Sequence, residues 1–152
     1  MASANFEILE NGGWRRLDDM TTRLLKQRNA EPASDHYLLE REAAHFAQDL
    51  LKGLGPKQSR NFWQSLRLTR YEIPLDSRIL RWCKAQLHVH LPTQGLADPK
   101  FYEMIMDTLL DLCDRASVAP TVFDAAVFSS FEDEEDDVEI STTGVGVDDD
   151  EN

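Results

Sequence analysis

The stretch "LKGLGPKQSRN", residues 51–61, decides how this chain folds. It sets two glycines, one proline and three basic side chains directly after a run with helical spacing. That run carries Leu38, Leu39, Ala43, Phe46, Ala47, Leu50 and Leu51, with Ser34 or Asp35 as N-cap and Gly53 as the stop. Pro56 then stands in the first turn of a new helix, where a missing N–H costs nothing, and Phe62, Trp63 and Leu66 turn inward. Gly53 and Gly55 let the backbone turn tightly and approach an anion, while Leu54 packs back between the two helices. The free N–H groups and positive dipole end of the second helix point at the same place, so the unit reads as a turn that holds phosphate.

Charge supports that reading once it is resolved along the chain. The protein has 152 residues, 41% hydrophobic, and a formal net charge of −12. Eleven of its 28 acidic residues lie in 132–152, which has no Lys or Arg, leaving 17 acidic against 16 basic residues in 1–131. Residues 52–84 carry Lys52, Lys57, Arg60, Arg67, Arg70, Arg78, Arg81 and Lys84 against Glu72 and Asp76, a net +6. Phosphate contact by Arg60, Arg70 and Arg78 is one reading of this cluster, and a solvated face is the other. Cys83 and Cys113 stand thirty positions apart with no CxxC, and His88 and His90 have no further ligand near in sequence, so neither a zinc nor an iron–sulfur site has its ligand set. No run reaches the about 18 apolar residues of a membrane span, and no basic-then-apolar leader opens the chain. The expectation is a cytoplasmic protein with no membrane partner, nucleoid-associated if bacterial.

The remaining pattern is helical. A stripe of Leu17, Met20, Leu24 and Leu25 follows the turn signal Asn11-Gly12-Gly13 and runs from Trp14 to Lys26. Residues 67–75 read as an extended connection, because the residue before Pro74 is steered away from helix. Asp76 opens a further helix through Ile79, Leu80, Trp82 and Cys83; residues 88–97 read as loop. Asp98-Pro99 starts a long helix with Phe101, Ile105, Met106, Leu109, Leu110 and Cys113 on its apolar side, and Pro120 starts a short one, Val122 to Phe128. Trp63, Trp82, Phe46 and Phe101 sit at core positions. The run from Glu132 reads as a disordered acidic tail.

Helix, Gly-Leu-Gly, helix is the sequence form of a helix-hairpin-helix. Together with "YEIPLDSRILRW", residues 71–82, it resembles the helix-hairpin-helix DNA glycosylase superfamily, in its 8-oxoguanine glycosylase and AP-lyase branch. The resemblance covers roughly residues 36–131, extends to "DPKFYEMIMDTLLDLCDRA" and "PTVFDAAVFSSF", and leaves 1–35 as a helical segment without a counterpart. It implies an all-α bundle that excises an oxidised purine from damaged double-stranded DNA. Lys57 falls on the family's nucleophile, forming a Schiff base at C1′ of a flipped nucleotide, and Asp76 falls on its acid–base and electrostatic partner. Gly53, Leu54, Gly55, Arg60 and Arg78 would hold the DNA backbone. The resemblance implies no metal and no organic cofactor, with room for a monovalent cation on the hairpin carbonyls.

The chain departs from the family in two respects. Only 56 residues precede Lys57, so the expectation is a form lacking much of the N-terminal subdomain that shapes the family's base pocket, and the cluster cysteines of the endonuclease III branch are absent from the sequence. The resemblance also sets Phe123 and Asp124 where the family shapes its site from the C-terminal side. Plainer roles stand beside the sharp ones: Lys57 as a solvated first-turn lysine, Asp76 as a helix cap, Phe123 as packing and Asp124 as a helix-end residue. Two other functions follow from those departures. One is a non-catalytic helix-hairpin-helix DNA-binding protein; the other is an interaction protein whose acidic tail meets a basic partner.

Overall fold

The computed structural model describes residues 2–33 and 35–142, with side chains through Phe131. Its described residues form seven α-helices and no strand: α1 (Ala2–Ile8), α2 (Trp14–Arg28), α3 (His36–Leu50), α4 (Pro56–Ser65), α5 (Ser77–Leu87), α6 (Pro99–Arg115) and α7 (Pro120–Thr142). The expected all-α class is therefore observed. A π-helical turn, Leu9–Gly13, joins α1 to α2 with non-helical angles at Asn11 and Gly12, where the sequence signals a turn. A single 3₁₀ turn, Thr93–Ala97, occupies part of the segment expected to be loop.

Helix boundaries follow local chemistry. The Asp76 carboxylate accepts from the N–H groups of Arg78 and Ile79, and Asp98 does the same for Lys100 and Phe101, so each caps the helix it precedes. Asp35 occupies the N-cap position of α3 without a side-chain cap bond, and Ser34 lies outside the described residues. Three helices end on a non-glycine residue in the left-handed region: Arg67 after α4, His88 after α5 and Ser117 after α6. In each case the next N–H reaches back to an orphan carbonyl, of Trp63, Cys83 and Cys113 respectively, which offsets the backbone strain.

Two expectations of the fold need correction. Leu66, expected to turn inward, is half exposed, because α4 closes at Ser65 and the chain turns away at Leu66 and Arg67. α7 is not a short helix ending at Phe128, because its backbone stays helical through Thr142, into the acidic run. The rest of the expected disordered tail, 143–152, lies outside the described residues.

Two apolar clusters build the core. The first joins α2, α3 and α4 through Leu17, Met20, Leu24, Ala43, Ala47, Leu50 and Trp63, with Leu68 from the segment after α4. Ala43, Ala44 and Ala47 present a flat, fully buried face on α3 that lets Trp63 of α4 come close enough for its indole N–H to donate to Ala43 O at 2.7 Å. The second joins α5, α6 and α7 through Ile79, Cys83, Tyr102, Ile105, Met106, Leu109 and Val127, with Ile73 and Leu75 from the connecting segment. Trp82, Phe46 and Phe101 pack against one cluster or the other, as their spacing predicts.

Buried charge lies where the halves meet. Glu40 on α3, 2% exposed, accepts the N–H groups of Arg70, Tyr71 and Glu72 at 2.8, 2.7 and 2.9 Å. Glu72 in turn accepts from Arg41 on one carboxylate oxygen and Arg60 on the other. Tyr102 OH accepts from Leu75 N–H at 2.6 Å, and burial pushes its phenol up to about 12. The segment 68–76 is thus held at several points before α5 begins.

Candidate functional site

The hairpin has the form its glycines require. Gly53 adopts φ 88°, the left-handed region that an L side chain enters only with strain, and Gly55 is extended at φ −90°, ψ −177°. Leu54 is half-buried against the α2–α3–α4 cluster, so the apolar residue between the glycines does pack inward. α4 then begins with Pro56 and carries no side-chain cap on its first turn. α1 braces the hairpin from outside: the Asn5 amide donates to Lys52 O at 3.1 Å and accepts from Lys52 N–H at 2.8 Å.

Lys57 and Asp76, nineteen residues apart, meet. Lys57 Nζ lies 4.0 Å from Asp76 Oδ2, with the lysine side chain 43% exposed and the aspartate 13%. Helix α4 fixes one partner and the cap of α5 the other. The anchored segment between them sets the gap, because Glu40 and Tyr102 hold its backbone up to Leu75. The plain reading of Asp76 as a cap and the sharp reading as a partner of Lys57 are both geometrically present.

Asp76 is densely coordinated. Its Oδ1 accepts from Arg78 N–H at 2.9 Å and Ile79 N–H at 3.3 Å, and its Oδ2 accepts from Arg78 Nε at 3.1 Å and Nη2 at 2.7 Å. Burial works to raise this carboxyl, but the Arg78 guanidinium and the two N–H groups outweigh it and hold it below the ordinary carboxylate value. Arg78 also lies over the Phe128 ring, 4.0 Å from its centroid, and Arg81 lies 4.2 Å from that of Phe131. Arg78 is therefore turned toward Asp76 and α7, with a third of its side chain exposed.

Arg60 departs from the sequence expectation. It is 1% exposed, donates from Nε to Glu72 Oε2 at 2.7 Å and from Nη1 to Pro56 O at 3.0 Å, and stacks 4.4 Å from the Tyr102 centroid. A guanidinium enclosed in this way is a core ion-pair partner and does not reach a phosphate. Lys52, Arg67, Arg70, Arg81 and Lys84 remain on the surface of the basic window.

Asp124 is one of the two residues that the resemblance sets on the C-terminal side of the site. It comes from α7 to the far end of α4, where Gln64 Nε2 donates to its Oδ2 at 2.9 Å, and it feels both Asp76 and Arg78. The signal available in sequence was an aspartate set inside the apolar run Val122 to Phe128. Phe123 packs edge-on against Trp82 at 4.8 Å between ring centroids, which is a packing role.

Other features lie elsewhere. A cleft of about 570 Å³, bordered by Tyr37, Tyr71, Asp107, Leu110 and Val118, is lined by neither Lys57 nor Asp76. Among the described residues no group of three His, Cys, Asp or Glu side chains is placed to hold a metal ion, and His88 and His90 are exposed. No described helix is long and apolar enough to cross a membrane. No protein-family model, curated protein or solved structure matches the chain.

Proposed function

We propose that this protein is a DNA base-excision enzyme, an N-glycosylase with AP-lyase activity on oxidised purines, acting through a Schiff base on Lys57. The observation that carries the reading is the approach of Lys57 Nζ to within 4.0 Å of Asp76 Oδ2, on a helix entered through a Gly-Leu-Gly hairpin. An amine and a carboxylate held together beside an uncapped helix N-terminus suit attack at a sugar carbon whose positive charge grows as the base leaves. The phosphate flanking that sugar has the hairpin backbone and first turn of α4 available as donors. No cofactor is required by this chemistry; a monovalent cation on the hairpin carbonyls belongs to the same proposal.

Borohydride reduction in the presence of duplexes carrying 8-oxoguanine or an abasic site tests it. The wild-type chain is expected to yield a covalent protein–DNA adduct, and Lys57→Ala to yield none. Absence of an adduct from folded wild-type protein that still binds duplex refutes the enzymatic reading. The second reading, a helix-hairpin-helix DNA-binding protein without catalysis, is favoured by the way Arg78 fills Asp76 Oδ2, the oxygen nearest Lys57. It predicts the binding without the adduct.

A further inference from the structure

Asp76 is occupied before Lys57 can use it. Its Oδ2 is the oxygen nearest the lysine, 4.0 Å from Nζ and beyond hydrogen-bond reach, and it already accepts Arg78 Nε at 3.1 Å and Nη2 at 2.7 Å. Oδ1 is committed to the helix cap, accepting the N–H groups of Arg78 and Ile79. Both acceptor directions of each oxygen are therefore filled from within residues 76–79.

The guanidinium is held from behind as well. The Phe128 ring of α7 lies 4.0 Å from it, so the group sits between an aromatic face and a carboxylate. A third of the Arg78 side chain and 41% of Phe128 are exposed, so this hold can open outward without disturbing the buried clusters. The cap does not depend on it, because the cap runs through Oδ1 and two backbone N–H groups.

We infer that Arg78 is a latch on Asp76: it withholds Oδ2 from Lys57 in the free protein and gives it up when a phosphate of bound DNA takes the guanidinium. This rests on the glycosylase reading above. On Asp76 both donors of the fork converge on one oxygen, whereas a phosphate presents two, so the guanidinium gains geometry by moving. Arg78 and the cap N–H groups together hold the Asp76 carboxyl below its ordinary value, and losing the guanidinium makes it a better proton acceptor. The charged groups that remain around it are Lys57 of α4 and, from α7, Asp124, which feels its charge.

Lys57 attacks an aldehyde carbon only as the free amine. Once released, Oδ2 takes one ammonium proton from Lys57. The Nζ lone pair then bonds to the carbon, whose carbonyl pair moves to oxygen, and a second Nζ proton passes to that oxygen to give a hydroxyl. Asp76 returns its proton to the hydroxyl, the C–O bond breaks with its pair on the departing water, and the nitrogen pair closes the C=N bond. No proton is gained or lost overall, and Asp76 is again a carboxylate.

Capture of free 2-deoxyribose, an aldehyde without phosphate, isolates the latch when cyanoborohydride fixes the imine and peptide mapping reads it at Lys57. Wild-type protein is expected to be modified slowly, and faster when inorganic phosphate is added at constant ionic strength. Arg78→Met is expected to be modified roughly tenfold or more faster than wild type without phosphate and to gain nothing from it; general buffer catalysis would act on both. Phe128→Leu keeps the guanidinium but loosens it, giving an intermediate rate with the phosphate response intact. On an abasic duplex Arg78→Met requires more DNA for half-saturation, while its limiting trapping rate is no lower than that of wild type. A merely structural Arg78 would lower that limiting rate. Deoxyribose capture at or below the wild-type rate in folded Arg78→Met and Phe128→Leu, or a phosphate response that survives in Arg78→Met, overturns the latch while leaving the duplex adduct intact. Absence of any adduct on the abasic duplex from both wild type and Arg78→Met instead refutes the glycosylase reading, and the inference with it.

Discussion

Single side chains show best what residue type conveys and what it conceals. Arg60 and Arg70 look alike in sequence, both basic and both in the +6 window, yet Arg60 is buried and Arg70 exposed. The difference is a partner. The window has two acids, and each is engaged: Glu72 by Arg60 and Arg41, Asp76 by Arg78 and Lys57. An isolated acid among many bases was the available sign that some of those bases face inward. Removing Arg60 leaves one oxygen of the buried Glu72 carboxylate without its donor while Arg41 still holds the other, so Arg60→Ala is expected to lose about 3 kcal/mol in a urea titration. Arg70→Ala, without such a burial, is expected to leave the unfolding midpoint where it is. Equal midpoints for both variants would contradict the assignment of Arg60 to the core. Lys57 and Asp76 were legible for the opposite reason, because each sits at a helix start announced by proline or by a capping residue.

Elements were legible wherever their ends carry punctuation. Pro56, Asp76, Asp98-Pro99 and Pro120 each mark a helix start that the structure reproduces. The extended segment after α4 was also visible, through Pro74, but nothing near it in sequence reveals what secures it. Glu40 is thirty residues upstream, beside the apolar stripe of its own helix, and its role appears only when α3 lies alongside the segment. Burial raises the Glu40 carboxyl and three N–H donors lower it, with a net rise. As pH climbs above the unfolded-state value, folded Glu40 therefore keeps its proton longer than unfolded Glu40, and its ionisation subtracts from stability in that window. Replacing it removes three acceptor contacts at once. Glu40→Ala is expected to lose about 3 kcal/mol or more, from N–H groups left without an acceptor, and to lower borohydride trapping even where the chain is still folded, because the gap between Lys57 and Asp76 is no longer set. Unimpaired trapping in a folded Glu40→Ala protein would show that the segment finds its place without this anchor. α7 ran longer than expected because the acidic residues at 132–137 and 139 argue for solvation without forbidding helical backbone.

At the scale of the molecule, net charge is the misleading quantity and its distribution the informative one. A chain of −12 should avoid DNA, but five of the eight basic groups in residues 52–84 are on the surface of a body that is close to neutral. Duplex affinity is accordingly expected to fall steeply with added salt, as phosphate contacts release counterions, and a chain ending at Phe131 is expected to bind at least as well as the full one. Binding insensitive to salt, or lost with residues 132–152, would count against both DNA readings. The two-part core was only half legible, since periodicity shows which face of each helix is apolar but not which helices share a cluster. That partition has a practical consequence through the thiols. Cys83 and Cys113 are free and buried on the α5–α6 side, their thiols pushed up by burial, whereas the α2–α3–α4 side has no cysteine. Unreactive until exposed, they form a built-in stopwatch for one half of the molecule. The rate at which a thiol reagent labels them in native buffer, compared with hydrogen exchange at the Trp63 indole, tells whether the halves breathe together or whether the α5–α6 side opens first.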